Sequence, residues 1–242
     1  MACYPEAGQK LTFYEIDRVV KRISFDQKQY FSYVHDAKAR GAEINIVLGD
    51  ARVSLDREWQ TRPGEKYDVI VVDAFSSDAI PMHLMTWQAL QIYLDKLKPD
   101  GIVAFHTSNL YLRLEPVVGN IAAKLGCVAL MQSESWEDMD LLRQDFLVID
   151  ASTAGLLSTP FGRGPWLAAF GLYLPRPSQQ GKCSSTWVMV ARAPQHFGEL
   201  LEDVGQPNDQ SKRWHWVGFI PGIGVWSDDF SNLVKVYDWK SK

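Results

Sequence analysis

The feature that most constrains this chain is an alternation that runs through its first 130 residues. Short apolar runs of β-forming residues take turns with longer helical patterns. Leu11–Ile16 reads as a strand ending in acids, and Arg18–Arg40 as one or two helices stopped by Gly41. Ile44–Leu48 is a second strand ending at Gly49 and Asp50, and Tyr67–Val72 a third ending at Asp73. Thr86–Leu97 has the spacing of an amphipathic helix, with Trp87, Leu90, Tyr93, Leu94 and Leu97 on one face. Pro99, Asp100 and Gly101 read as a turn, Ile102–Phe105 as a fourth strand, Leu114–Leu125 as a helix and Cys127–Met131 as a fifth strand. Short apolar strands alternating with helices predict an α/β fold of Rossmann-like type, with a mostly parallel sheet and helices on both faces.

The later half carries a weaker pattern. From 133 to 183 Gln144–Ile149 could be a strand, but Gly162, Gly164, Pro165, Pro175 and Pro177 break any long element, which predicts an insertion or a mobile covering segment. Thr186–Ala191 is again a strand, Pro194–Leu201 starts a helix, and Gly205–Arg213 is polar and turn-like. Ser227, Asp228 and Asp229 have the character of a cap for a final helix over Phe230–Tyr237. The expected organisation is a single α/β domain over 1–242, with the insertion at 133–183 and a Trp-rich C-terminal extension at 205–242. Five of the nine tryptophans (Trp187, Trp214, Trp216, Trp226, Trp239) follow residue 185, so this end carries aromatic surface that must be buried somewhere.

Composition removes several classes of function. Hydrophobic residues make up 46% and charged residues 22%, which excludes global disorder and a coiled coil. No apolar run approaches the roughly 18–20 residues of a membrane span, and the first ten residues lack the pattern of a secretory signal. With net charge −4 and no basic block, nucleic acid is not an expected partner. The cysteines Cys3, Cys127 and Cys183 lie far apart, with neither metal-ligand spacing nor the even count of a disulfide framework. A reducing, cytoplasmic location fits them best.

In open α/β sheets, ligands bind beyond the carboxyl ends of the strands. This directs attention to Glu15 and Asp17, to Asp50, to Asp73 and Asp78, and to the stretch from His106 to Asn109. An acid in the position of Glu15 can accept both hydroxyls of a ribose, or it can be a solvated loop end. Asp50 could accept from an adenine amino group, but an N-cap for the helix starting near Ala51 is the simpler assignment. Asp73 sits at the rim of an apolar strand, and Asp78 follows in a Ser-rich loop (DAFSSDAIP). Two carboxylates there could hold a cation or share acid–base work, or the loop could be merely polar. His83 and His106 lack companions at metal-ligand spacing, so no metal is assigned, and a lone histidine at a strand end is usually a hydrogen-bonded structural residue. Ser76 and Ser108 lack the G-x-S-x-G setting of a serine hydrolase.

Taken together, FYEID (Phe13–Asp17), GDAR (Gly49–Arg52), YDVIVVDAFSSDAIP (Tyr67–Pro81) and HTSNLYLRLEPVV (His106–Val118) resemble the spermidine synthase family, in particular its bacterial spermidine synthase-like members. The likeness covers residues 11–130 well, and continues patchily through Ser185–Arg192 and Trp226–Leu233. It implies the class I S-adenosylmethionine-dependent methyltransferase fold. It also implies aminopropyl transfer from decarboxylated S-adenosylmethionine to a diamine such as putrescine, a step of polyamine biosynthesis. Under this resemblance Glu15, with Asp17 as a second candidate, would hold the ribose hydroxyls. Asp50 and Ala51 would face the adenine. Asp73 would bind the amine and take its proton, and Asp78 would belong to the loop closing over the site. The nucleoside is a co-substrate; no tightly bound cofactor and no metal is implied. The partner is a small amine, and a homodimer is left open.

The chain departs from the family pattern in two places. The Gly-rich loop of this fold stands about 20 residues before the ribose-binding acid, and counting back from Glu15 passes Met1. The expected fold is therefore N-terminally incomplete. The segment at Asp73 also carries two extra residues, Ala74 and Phe75, relative to the shorter Asp-Ser-Ser-Asp form. Two other readings follow from these departures: a methyltransferase on the same fold using S-adenosylmethionine itself, and a non-catalytic truncated homologue.

Overall fold

A computed structural model describes residues 2–62, 64–74, 81–109, 112–133, 185–205 and 213–237. The chain divides into two compact units, Met1–Glu65 and Lys66–Lys242.

In the first unit β1 (Lys10–Glu15) and β2 (Glu43–Leu48) form a parallel pair, in register from Lys10 opposite Glu43 to Glu15 opposite Leu48. The connection holds one turn of helix, α1 (Arg18–Lys21), a π-turn over Arg22–Asp26, and α2 (Tyr33–Ala39). Sequence periodicity marks this stretch as helical, but Gln27–Ser32 interrupts it with turns. Val34 and Ala37 of α2 are buried with Ala2, Ala42 and Ile44, and Leu11, Phe13, Phe25 and Tyr33 pack around them. The Phe13 and Phe25 rings meet edge-on, 5.1 Å between centroids. Beyond β2, Asp50 caps α3 (Ala51–Thr61).

The second unit is built on five strands in the order β3-β4-β6-β5-β7: β3 (Tyr67–Val72), β4 (Leu97–His106), β5 (Val128–Ser133), β6 (Thr186–Ala191) and β7 (His215–Val217). Among the described residues of this unit β3 and β4 are the one parallel pair of neighbours, and β5 points the same way as both. β6 lies antiparallel between β4 and β5, and β7 is antiparallel to β5. The α/β class holds, but the sheet is mixed rather than mostly parallel. The error has a physical source. A strand buried on both faces is an apolar run whichever way it points, and direction is set by the connection, which here runs through 134–184, outside the described residues. The expected insertion at 133–183 falls on those same residues apart from Ser133, which ends β5.

α4 (Trp87–Lys96) and α5 (Glu115–Lys124) carry the buried faces that cover one side of this sheet, with the Tyr93 ring 6.2 Å from that of Phe105. The other side collects Ile102, Ala104, Leu130, Met189 and Ala191 under Phe197, Leu200, Trp214 and Trp216. Phe197 and Leu200 come from a 3-10 segment, Pro194–Asp203, kinked at Gly198, where the sequence suggested a simple helix start. Trp214, Trp216 and Trp226 are all buried, so part of the aromatic excess of the C-terminal end is core. Trp239 lies outside the described residues.

Two local readings are corrected. The Pro99–Gly101 turn is an irregularity inside β4, where pairing with β3 jumps from Tyr67–Leu97 to Val69–Ile102. A Cβ on Gly101 would stand 2.9 Å from the carbonyl oxygen of Asp68, so only glycine fits there. The last helix, α6 (Leu233–Val236), is shorter than expected and is capped by Asn232. Asp228 instead accepts from the Thr86 hydroxyl at 2.9 Å, at the start of α4.

Candidate functional site

Within the first unit, the carboxyl ends of β1 and β2 bring together three of the acids singled out from sequence. The Gly49 N–H donates to the Glu15 carbonyl at 2.9 Å, which ties the two strand ends to each other. The Glu15 carboxylate accepts from the Asp17 N–H at 2.8 Å. Asp17 is the N-cap of α1 and accepts from the N–H groups of Val19 (2.6 Å) and Val20 (3.4 Å). Asp50 caps α3 through the Val53 N–H at 2.9 Å, and Ala51 is the first residue of that helix. A carboxylate offers about four lone-pair positions, so Glu15 keeps acceptor capacity beyond this bond. Asp17 is the most committed to the backbone. Ile16, Leu48 and Val53 are exposed at the same end, so the acids stand beside apolar surface.

In the second unit Asp73 directly follows β3. The parallel register sets Val72 opposite Phe105, which carries Asp73 alongside His106 at the end of β4. Asp73 Oδ1 lies 2.8 Å from His106 Nδ1, and the Asp73 side chain is half-exposed. The imidazole is held further. Its Nε2 is 2.8 Å from Ser108 Oγ, and its ring stacks on Trp187 at 4.7 Å between centroids, with 24° between planes. Trp187 reaches it because His106 and Trp187 are register partners across β4 and β6. Asp78 lies outside the described residues.

Sequence reading placed His106 at the right strand end but gave it no partner. The signal was the spacing His106-x-Ser108 at the end of a strand, which sets both side chains on one side of an extended chain. The partnership with Asp73 depends on strand order, which no local pattern carries.

No protein-family model matches the chain. A polyamine aminopropyltransferase of Vibrio vulnificus (strain CMCP6) is 36% identical over 111 residues, 45% of this chain and 33% of the relative. The chain is thus a distant homologue of that enzyme over a segment spanning about a third of its length. Among solved structures, MnmC2 from Aquifex aeolicus aligns with a TM-score of 0.38 at 16% identity, covering 76% of this chain and 44% of that one. Precorrin 8w decarboxylase from Methanobacterium thermoautotrophicum aligns with a TM-score of 0.39 at 14% identity, covering 78% and 84%. Likenesses this slight carry no functional argument. Among the described residues no helix is long and apolar enough to cross a membrane.

Proposed function

We propose that the chain is a spermidine synthase-like aminopropyltransferase, acting on decarboxylated S-adenosylmethionine and a small diamine such as putrescine. The observation that carries this reading is the Asp73 carboxylate: half-exposed at a strand end, with one oxygen engaged by His106, in a chain homologous over part of its length to an aminopropyltransferase.

The chemistry suits an acidic site. An alkylammonium titrates near 10, so the acceptor arrives protonated and cannot attack. Asp73 attracts the cation and takes one proton. The freed nitrogen pair then forms a bond to the propyl carbon next to sulfur, and the carbon–sulfur pair returns to the sulfonium as a neutral thioether. The leaving group is already positively charged, so the base and the alignment are what the protein must supply. In this reading Glu15 takes the ribose hydroxyls, Asp50 and Ala51 meet the adenine beside the apolar surface of Ile16, Leu48 and Val53, and Asp17 serves chiefly to cap α1.

The test is turnover of the purified full chain with decarboxylated S-adenosylmethionine and putrescine, read as spermidine and nucleoside thioether formed together. Asp73→Asn should lower kcat by about 10²-fold or more. Near-normal turnover in that variant sinks the base role. Thermal unfolding with each nucleoside provides a second readout. Stronger stabilisation by S-adenosylmethionine than by its decarboxylated form, with no spermidine made, replaces aminopropyl transfer with methyl transfer.

A further inference from the structure

A line of hydrogen bonds leads from the sheet backbone to Asp73. The Thr186 N–H donates to Ser108 Oγ at 2.7 Å, Ser108 Oγ meets His106 Nε2 at 2.8 Å, and His106 Nδ1 meets Asp73 Oδ1 at 2.8 Å. Proton positions along this line follow from donor chemistry. An ionised carboxylate only accepts, so Nδ1 must carry the hydrogen. In the neutral ring Nε2 is then an acceptor, and the Ser108 hydroxyl donates to it. The line has one direction from Thr186 to Asp73, with the imidazole clamped at both nitrogens and stacked on Trp187.

We propose that His106 is a positioning residue for Asp73: anchored by Ser108 and Trp187, it donates Nδ1–H to Oδ1 and fixes the carboxylate with Oδ2 left for the substrate amine. Among the described residues Oδ2 carries no hydrogen bond. The role rests on reading Asp73 as the base. The order Asp-His-Ser resembles the set that activates a serine nucleophile, but here one of the two Oγ lone pairs accepts a backbone N–H at 2.7 Å, which holds the hydroxyl in place as an anchor for the imidazole.

The test has one readout that needs no turnover. In the 15N-labelled full chain, the His106 ring nitrogens should report the Nδ1-protonated tautomer in NMR, and Asp73→Ala should disturb it. The Nε2-protonated tautomer overturns the proposal. In the transfer assay, His106→Ala should lower kcat by about 10–100-fold with the KM for the nucleoside donor unchanged. His106→Asn places an amide N–H where Nδ1–H stood and should recover part of that loss, whereas His106→Gln should not. Equal kcat in the Ala and Asn variants overturns the proposal, because a merely structural role would not separate Asn from Gln. Labelling of Ser108 by a fluorophosphonate probe overturns it as well. The two readings fail separately. The expected tautomer without any aminopropyl transfer discards the reaction and keeps the clamp on Asp73. Transfer with the wrong tautomer discards the clamp and keeps the reaction.

Discussion

Asn120 on α5 acts as a strand partner for Ile220: its Oδ1 accepts the Ile220 N–H at 2.7 Å while its Nδ2 donates to the Ile220 carbonyl at 3.0 Å. The same Nδ2 donates to the Gly224 carbonyl at 2.8 Å, and Asn120 itself is fully buried. A single side chain thus satisfies backbone groups of a loop about 100 residues away.

Replacing Asn120 with Ala should therefore destabilise the second unit by about 2–3 kcal/mol, the cost of buried backbone groups left without partners. Asn120→Asp should be no better, since its second oxygen would face two carbonyl oxygens. Chemical denaturation of the three proteins checks this, and a loss in the Ala variant too small to measure would remove Asn120 from the account of the fold.

Thr86 joins two segments in a different way. Its Oγ1 accepts from the Ala89 N–H at 3.2 Å as the N-cap of α4, and donates to Asp228 at 2.9 Å. Thr86→Val keeps the shape and loses both bonds, and should cost about 1–2 kcal/mol. Thr86→Ser should stay near the parent protein in thermal unfolding. A loss in Ser with none in Val would show that the methyl group, not the hydroxyl, matters.

Burial pushes the Cys127 thiol above its ordinary value of 9.0, and the charge of Arg192 offsets part of that rise. Only the thiolate reacts with alkylating reagents. Cys127 should therefore be modified more slowly than the exposed Cys3 near neutral pH, and its reaction should gain speed only at more alkaline pH. Peptide mapping after timed alkylation reads each cysteine separately. Equal rates at neutral pH would contradict the burial argument.

Lys10 bonds to Glu65 at 3.0 Å, with Glu43 at 3.6 Å, all on the surface of the first unit. The pairing raises the Lys10 amine above 10.5 and lowers the Glu65 carboxyl below 4.5. The depressed carboxyl contributes stability above its unfolded value, which is lost as pH falls through the folded one. The raised amine contributes below its unfolded value, and loses that as pH rises through the folded one. Lys10→Met should thus lower the melting temperature slightly near neutral pH. The difference should close in acid and shrink at high salt, because exposed pairs are screened. A gap that persists at low pH would assign the effect to packing.

Strands were legible where apolar, largely β-branched residues run together, in the half-buried β3 as in the largely buried β6. Tyr67–Val72 and Thr186–Ala191 match their predicted limits. β7 was not found, since three residues, His215 to Val217, give no period. Sheet order and direction were not legible either, because both depend on connections between distant segments. The candidate site shows the same division. Local rules located Glu15, Asp50 and Asp73 at strand ends and gave Asp50 its cap. The union of Asp73 with His106 follows from register, and the stacking of Trp187 from an antiparallel neighbour that local rules would have oriented the other way.

The placement of β6 has a consequence for synthesis. β4 and β5 are complete by residue 133, yet the strand between them begins at Thr186. During translation both keep an open edge until more than fifty further residues have been made, a non-local closure of the kind that slows folding and invites association between chains. A nascent chain stalled anywhere in that interval is expected to be captured by other exposed strands, so the dwell time on the ribosome between 133 and 191 bears directly on the yield of soluble protein.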